Sequence, residues 1–162
     1  MNSSIKSGFT LVELLVALGI IAIVFSLSFA AYREFSRRQQ LTEAVNVFKS
    51  NLFLAQQRAL SGERSICASG EVLNGYRVYF DNPASYIVFA DCGKPWPQTW
   101  DDQPIKWVNL PSGITKSAGP ADIYFKVLAQ GTAFDKDETV IFTQVSSGKI
   151  LNVTITKTGS IY

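Results

Sequence analysis

The chain has 162 residues, a formal net charge of +2 and an apolar fraction of 47%. That suits one modest folded domain plus a hydrophobic segment, and excludes disordered and collagen-like classes. Histidine is absent, which removes Ser-His-Asp and Cys-His catalysis and histidine-ligated zinc. A charge balance this near zero does not by itself require a nucleic-acid partner.

Met1 to Gly8 is polar, with Lys6 as its one charged side chain. An apolar run follows from Phe9 to Ala31, and no charged residue occurs between Leu14 and Tyr32. As a helix that charge-free stretch rises ~28 Å, close to the ~30 Å hydrocarbon core of a bilayer. The run does not end in a small-residue cleavage site. It passes through Tyr32-Arg33-Glu34-Phe35 into further helical pattern, so it stays with the mature chain and any processing precedes it. Glu13 stands near its start, where a carboxylate is costly and normally partnered. Arg33, Arg37 and Arg38 follow the run while Lys6 precedes it. The positive-inside tendency would place the C-terminal side in the cytoplasm.

Beyond the run, Leu41, Ala44, Val45, Phe48, Leu52, Ala55 and Ala59 recur at steps of three or four, which makes one apolar face. No proline or glycine interrupts Ile20 to Ser61, and Gly62 supplies a stop. The pattern predicts one continuous helix from Phe9 to Ser61. Its first half belongs in a membrane or filament core, and its second half under a globular domain.

After Gly62 the character changes. Seven short segments rich in β-branched and aromatic residues predict strands at Arg64–Ala68, Tyr76–Phe80, Tyr86–Ala90, Ile105–Leu110, Asp122–Leu128, Thr139–Val145 and Ile150–Thr156. Turn residues such as Asp81-Asn82-Pro83 and Ser147-Gly148-Lys149 separate them. The last two read as a hairpin. The fold class is α+β: a long N-terminal helix packed against an antiparallel β-sheet domain.

Cys67 and Cys92 belong to no C-x-x-C motif. They are either two separate buried thiols or, if the domain lies outside the cytoplasm, a disulfide worth roughly 3 kcal/mol. Asp135, Asp137 and Glu138 crowd one loop, but their order does not fit an EF-hand and Lys136 intrudes. A solvated turn competes with a calcium site there. Trp96 and Trp100 share a loop with Pro95 and Pro97. They offer a partner surface or a cover for the sheet. Lys149 and Lys157 offer weak phosphate contacts or simple solvated edge charges. No catalytic pair, metal set or cofactor motif stands out, so the chain reads as a non-enzyme.

Lys6-Ser7-Gly8-Phe9-Thr10-Leu11-Val12-Glu13-Leu14-Leu15-Val16 resembles the class III signal of type IV pilins and type II secretion pseudopilins. The resemblance implies that a prepilin peptidase cuts between Gly8 and Phe9 and N-methylates Phe9. It implies a leader at 1–8, a helix at 9–62 that is transmembrane over about 9–32, and a β-rich domain at 63–162 outside the cytoplasm. The family's N-terminus is cytoplasmic, opposite to what the arginines favour. Its members sit in the inner membrane and meet a lipid bilayer, an inner-membrane assembly platform and other pilin or pseudopilin subunits. Cleavage would create a positive amine at Phe9 that can pair with Glu13 of a neighbour and set axial register. Within the superfamily, Leu52 to Gly62 and the ending Thr158-Gly159-Ser160-Ile161-Tyr162 resemble FimT-like minor pilins and H-type minor pseudopilins. Some DNA-binding FimT-like proteins carry a basic Gly-Arg tail. Here that place has no arginine, so a DNA-binding competence-pilus receptor is the disfavoured alternative.

Overall fold

A computed structural model describes residues 10–68, 70–93, 103–128 and 131–162, and within its helix it leaves the side chains of 27–31 undescribed. One helix, α1, runs Leu11–Ser61. Seven strands follow: β1 Leu73–Asn82, β2 Ser85–Cys92, β3 Gln103–Asn109, β4 Ile114–Ala118, β5 Asp122–Lys126, β6 Glu138–Gln144 and β7 Lys149–Ile155. They form two antiparallel sheets, one ordered β3-β2-β1-β5 and the other β4-β6-β7. The α+β architecture matches the sequence reading.

The chain divides within α1 into two compact units, Met1–Arg38 and Gln39–Tyr162. In the first unit Leu11, Leu14, Leu15, Leu18, Ile21 and Phe25 are all exposed. Among the described residues no helix is long and apolar enough to cross a membrane. The charge-free stretch of the sequence includes positions 27–31, whose side chains lie outside the description.

In the second unit the predicted stripe is the buried one. Leu41, Ala44, Val45, Phe48, Leu52, Ala55 and Ala59 all enter the core. Alanines at 44, 55 and 59 let the helix backbone approach the sheets, while Phe48 fills the space between them. Its ring lies 5.4 Å from Phe80 of β1, 5.2 Å from Tyr86 of β2 and 5.0 Å from Phe142 of β6. One aromatic side chain therefore touches both sheets, in the tilted and edge-on geometries that such rings favour.

A polar residue interrupts the stripe at Asn51, which is only 3% exposed. Burying an amide is tolerable only if it is bonded. Asn51 Nδ2 donates to the Tyr86 hydroxyl at 2.7 Å, and its Oδ1 accepts from Lys106 Nζ at 3.2 Å. These bonds fix α1 axially against β2 and β3, which an apolar stripe alone does loosely.

The strand β2 is buried along its whole length, on both faces. Tyr86, Val88, Ala90 and Cys92 join the helix-facing core. Ile87, Phe89 and Asp91 are also buried. On that second face the Arg77 guanidinium lies 5.1 Å from the Phe89 ring centroid and 3.5 Å from the Asp122 carboxylate. The Tyr124 hydroxyl donates to Asp91 at 2.8 Å.

Three strand expectations need correction. Arg64–Ala68 is turn and irregular chain, not strand. Two of its backbone bonds close locally, Cys67 N–H to Arg64 O and Ala68 N–H to the Glu71 carboxylate, and not to a neighbouring strand. Ile114–Ala118 is a strand that the sequence reading left out. It is polar and short, and it pairs only at the sheet edge, with β6. Finally, β5 ends at Lys126, because Leu128 takes a positive φ of 57°. The predicted hairpin is present as β6 and β7, one residue earlier at each boundary, with Gly148 at φ 65° in its turn.

Burial pushes the Tyr86 hydroxyl up to about 12, against the lowering effect of the Asn51 bond. The fold therefore prefers the neutral phenol. This contribution is fully present below pH ~10, the ordinary tyrosine range, and is lost as pH rises through about 12. Tyr86→Phe leaves the Asn51 amide without an acceptor and should cost ~1–3 kcal/mol at neutral pH. Urea unfolding of both proteins should show that gap shrinking between pH ~10 and about 12; a gap that stays constant refutes the coupling.

Candidate functional site

The sequence reading places the functional residues at the head of the chain. Gly8 and Phe9 lie outside the described residues, as do Trp96 and Trp100. Thr10 and Glu13 are described, and they are brought together. Thr10 directly precedes α1, and its Oγ1 accepts the Glu13 backbone N–H at 3.3 Å. The Thr10 carbonyl accepts the Leu14 N–H at 3.2 Å, the first intrahelical bond. Thr10 is thus the N-cap, and Glu13 occupies the third helical position.

That placement gives Glu13 a local role. The pattern Thr-x-x-Glu is the sequence signature of a capping box. An anionic side chain in the first turn also meets the positive end of the helix dipole, worth ~0.3–1 kcal/mol at an exposed site. The sequence carries this signal as Thr10-Leu11-Val12-Glu13, where the membrane cost of the same carboxylate masks its capping role. The side chains of Leu11, Val12 and Leu14 around it are exposed.

Cys67 and Cys92 are bonded to each other, with Cα atoms 5.5 Å apart. The bridge ties the connection between α1 and β1 to the end of β2. Supporting bonds surround it: the Tyr76 hydroxyl donates to the Glu63 carbonyl, and Gly93 N–H donates to Val72 O at 2.6 Å. Burial, reinforced by the Glu63 charge and opposed by Arg58, raises the Tyr76 hydroxyl above its ordinary value. A segment that makes no ladder is held by one covalent bond and a few capped groups.

The acidic loop has protein partners. Asp137 Oδ1 accepts the Lys157 backbone N–H at 3.1 Å, and Glu138 lies 3.9 Å from Lys136 Nζ. The C-terminal ending folds back rather than standing free. Tyr162 pairs its backbone with Thr154, and the Gly159 carbonyl accepts from Gln56 Nε2 at 2.9 Å. Gly159 has φ 95°, and a Cβ there would meet Gln56 Nε2 at 2.9 Å, so glycine serves a close approach to α1. The exposed tryptophan among the described residues is Trp107, on β3, at 67% exposure. Alternation in the sequence places it on a strand but does not reveal which face an edge strand shows.

The description "prokaryotic N-terminal methylation motif" matches residues 4–29. A fimbrial protein of Pseudomonas aeruginosa is 27% identical over 116 residues, covering 72% of this chain and 73% of the relative. No solved structure matches the chain.

Two outcomes test this geometry. Thr10→Ala should remove the cap, costing ~1 kcal/mol locally, and speed amide exchange of the first helical turn about fivefold. Exchange at the wild-type rate would refute the cap. Replacing both Cys67 and Cys92 by serine should lower stability by ~2–4 kcal/mol in chemical denaturation; an unchanged midpoint would show that the bridge constrains nothing.

Proposed function

We propose that this type IV pilin-like protein works as a minor pilin or pseudopilin subunit. A prepilin peptidase removes residues 1–8 and methylates Phe9. The mature chain rests in the inner membrane as a single-pass protein with its β-domain outside the cytoplasm. It then leaves the bilayer laterally into a filament of a type IV pilus or a type II secretion pseudopilus. Its work there is assembly: priming the filament, standing at its tip, or presenting the β-domain to a partner.

The observation that carries this is the head of α1. Its processing motif continues into a helix whose described side chains, Glu13 apart, are apolar and exposed up to Phe25. Such a surface needs either lipid or other subunits around it. The capped first turn adds a second support. Cleavage before Phe9 leaves a free cationic amine one residue ahead of the cap. Glu13, held in the first turn, is the nearest carboxylate in sequence, and pairing with a neighbouring subunit's amine lowers the cost of both charges.

The DNA-receptor alternative draws little support from the ending, which has no arginine and spends its backbone groups on α1 and β7. Failure to bind DNA at low salt eliminates it.

Gly8→Ala should leave the precursor uncut, eight residues heavier at the N-terminus by intact mass. Glu13→Ala should be cut and methylated normally, yet enter filaments at least about tenfold less, the order expected when an amine in the membrane loses its partner. Normal processing of the first variant, or wild-type incorporation of the second, would contradict the respective step.

A further inference from the structure

Three arginines stand on the exit side of the apolar run, where the positive-inside tendency does not favour them. Neither the processing motif nor the helix cap uses them. We propose that Tyr32, Arg33, Phe35, Arg37 and Arg38 form a collar that binds anionic phospholipid headgroups in the outer leaflet of the membrane. The proposal rests on the membrane reading above and adds a lipid chemistry to it.

The charge-free stretch ends at Tyr32, so Arg33 is the first cation the helix presents after it. Tyr32 is 67% exposed and Phe35 62%. The Arg38 side chain is 64% exposed, and its Nε lies 3.6 Å from Glu34, one turn earlier. With Arg33 and Arg37 added, the collar keeps a net positive charge despite Glu34.

From Tyr32 to Arg38 the helix rises ~9 Å. That matches the ~5–8 Å headgroup layer on one side of a bilayer, given that arginine stems reach along the helix. At ~100° per residue, Arg33 and Arg37 share one side, Arg38 lies further round, and Tyr32 and Phe35 take the other. Cations, the amphipathic Tyr32 ring and the apolar Phe35 ring thus surround the helix at one depth. Each group suits that depth. The guanidinium fork bonds phosphate oxygens in pairs, and aromatic rings gather at headgroup level. A carboxylate on another subunit would satisfy the cations but would leave the exposed rings beside them unexplained.

The test uses the full-length chain reconstituted into phosphatidylcholine vesicles with trace spin-labelled lipid. Electron spin resonance measures the fraction of label immobilised by the protein. Labelled phosphatidylglycerol should associate about fivefold more strongly than labelled phosphatidylcholine. The preference should fall to about unity in the triple variant Arg33→Gln, Arg37→Gln, Arg38→Gln, and should be kept only in part in the corresponding triple lysine variant, which retains the charge but not the paired fork. Two results overturn the collar while the membrane reading stands: no preference in wild type that resists alkaline extraction from the vesicles, or full preference in the glutamine variant. If that glutamine variant keeps its lipid preference but enters filaments poorly, the arginines belong to a protein partner instead. Alkaline extraction of the wild-type chain overturns the membrane reading itself, and the collar with it.

Discussion

The contact between the Phe48 ring and the aromatic rings of both sheets is the constraint on which the folded unit depends. The two sheets share no strand. The inward face of α1 bridges them, with a ring at its centre touching Phe80, Tyr86 and Phe142, and Phe80 also meets Phe142 directly across the sheets at 6.2 Å. The helix is therefore the interior of the second unit and not an appendage to it. The Asn51 bonds to Tyr86 and Lys106 add what apolar contact lacks, a single axial position for the helix.

The same helix obeys two different rules along its length. Up to Phe25 its described side chains, Glu13 apart, are apolar and exposed; beyond Leu41 one stripe is buried and the rest is polar or exposed. The first pattern demands an environment that the chain itself does not provide. The second is satisfied within the chain. Between them stand Tyr32 to Arg38, where charge and aromatic rings first appear together. A helix without glycine or proline from Ile20 to Ser61 carries both patterns without a break.

At the head of α1, geometry and proposed processing converge on few residues. Thr10 caps the helix, and Glu13 sits where its charge favours the dipole. The carboxylate then needs less from a partner than a buried charge in mid-membrane would. The cap holds the Glu13 backbone in the first turn of α1. The disulfide has a comparable function in the other unit. It holds a connection that no ladder holds, so the entry into β1 does not depend on weak local bonds.

Periodicity by itself determined the helix, its buried stripe, its stop near Gly62 and six of the strands. Each of these follows from local alternation or from glycine and proline. The motif around Gly8 and Glu13 was equally plain, because it is a linear pattern of neighbouring residues. Thr10-x-x-Glu13 was legible too, since a cap is local. Only the tertiary structure decided the rest. It paired Cys67 with Cys92, because loop closure depends on where β2 ends. It made Asn51 a buried anchor, because the partners Tyr86 and Lys106 lie 35 and 55 positions away. It turned Arg64–Ala68 into a bend and Ile114–Ala118 into a strand, because an edge is defined by its neighbour and not by its own composition. Contacts distant in sequence leave no periodic trace, and those were the ones the fold had to supply.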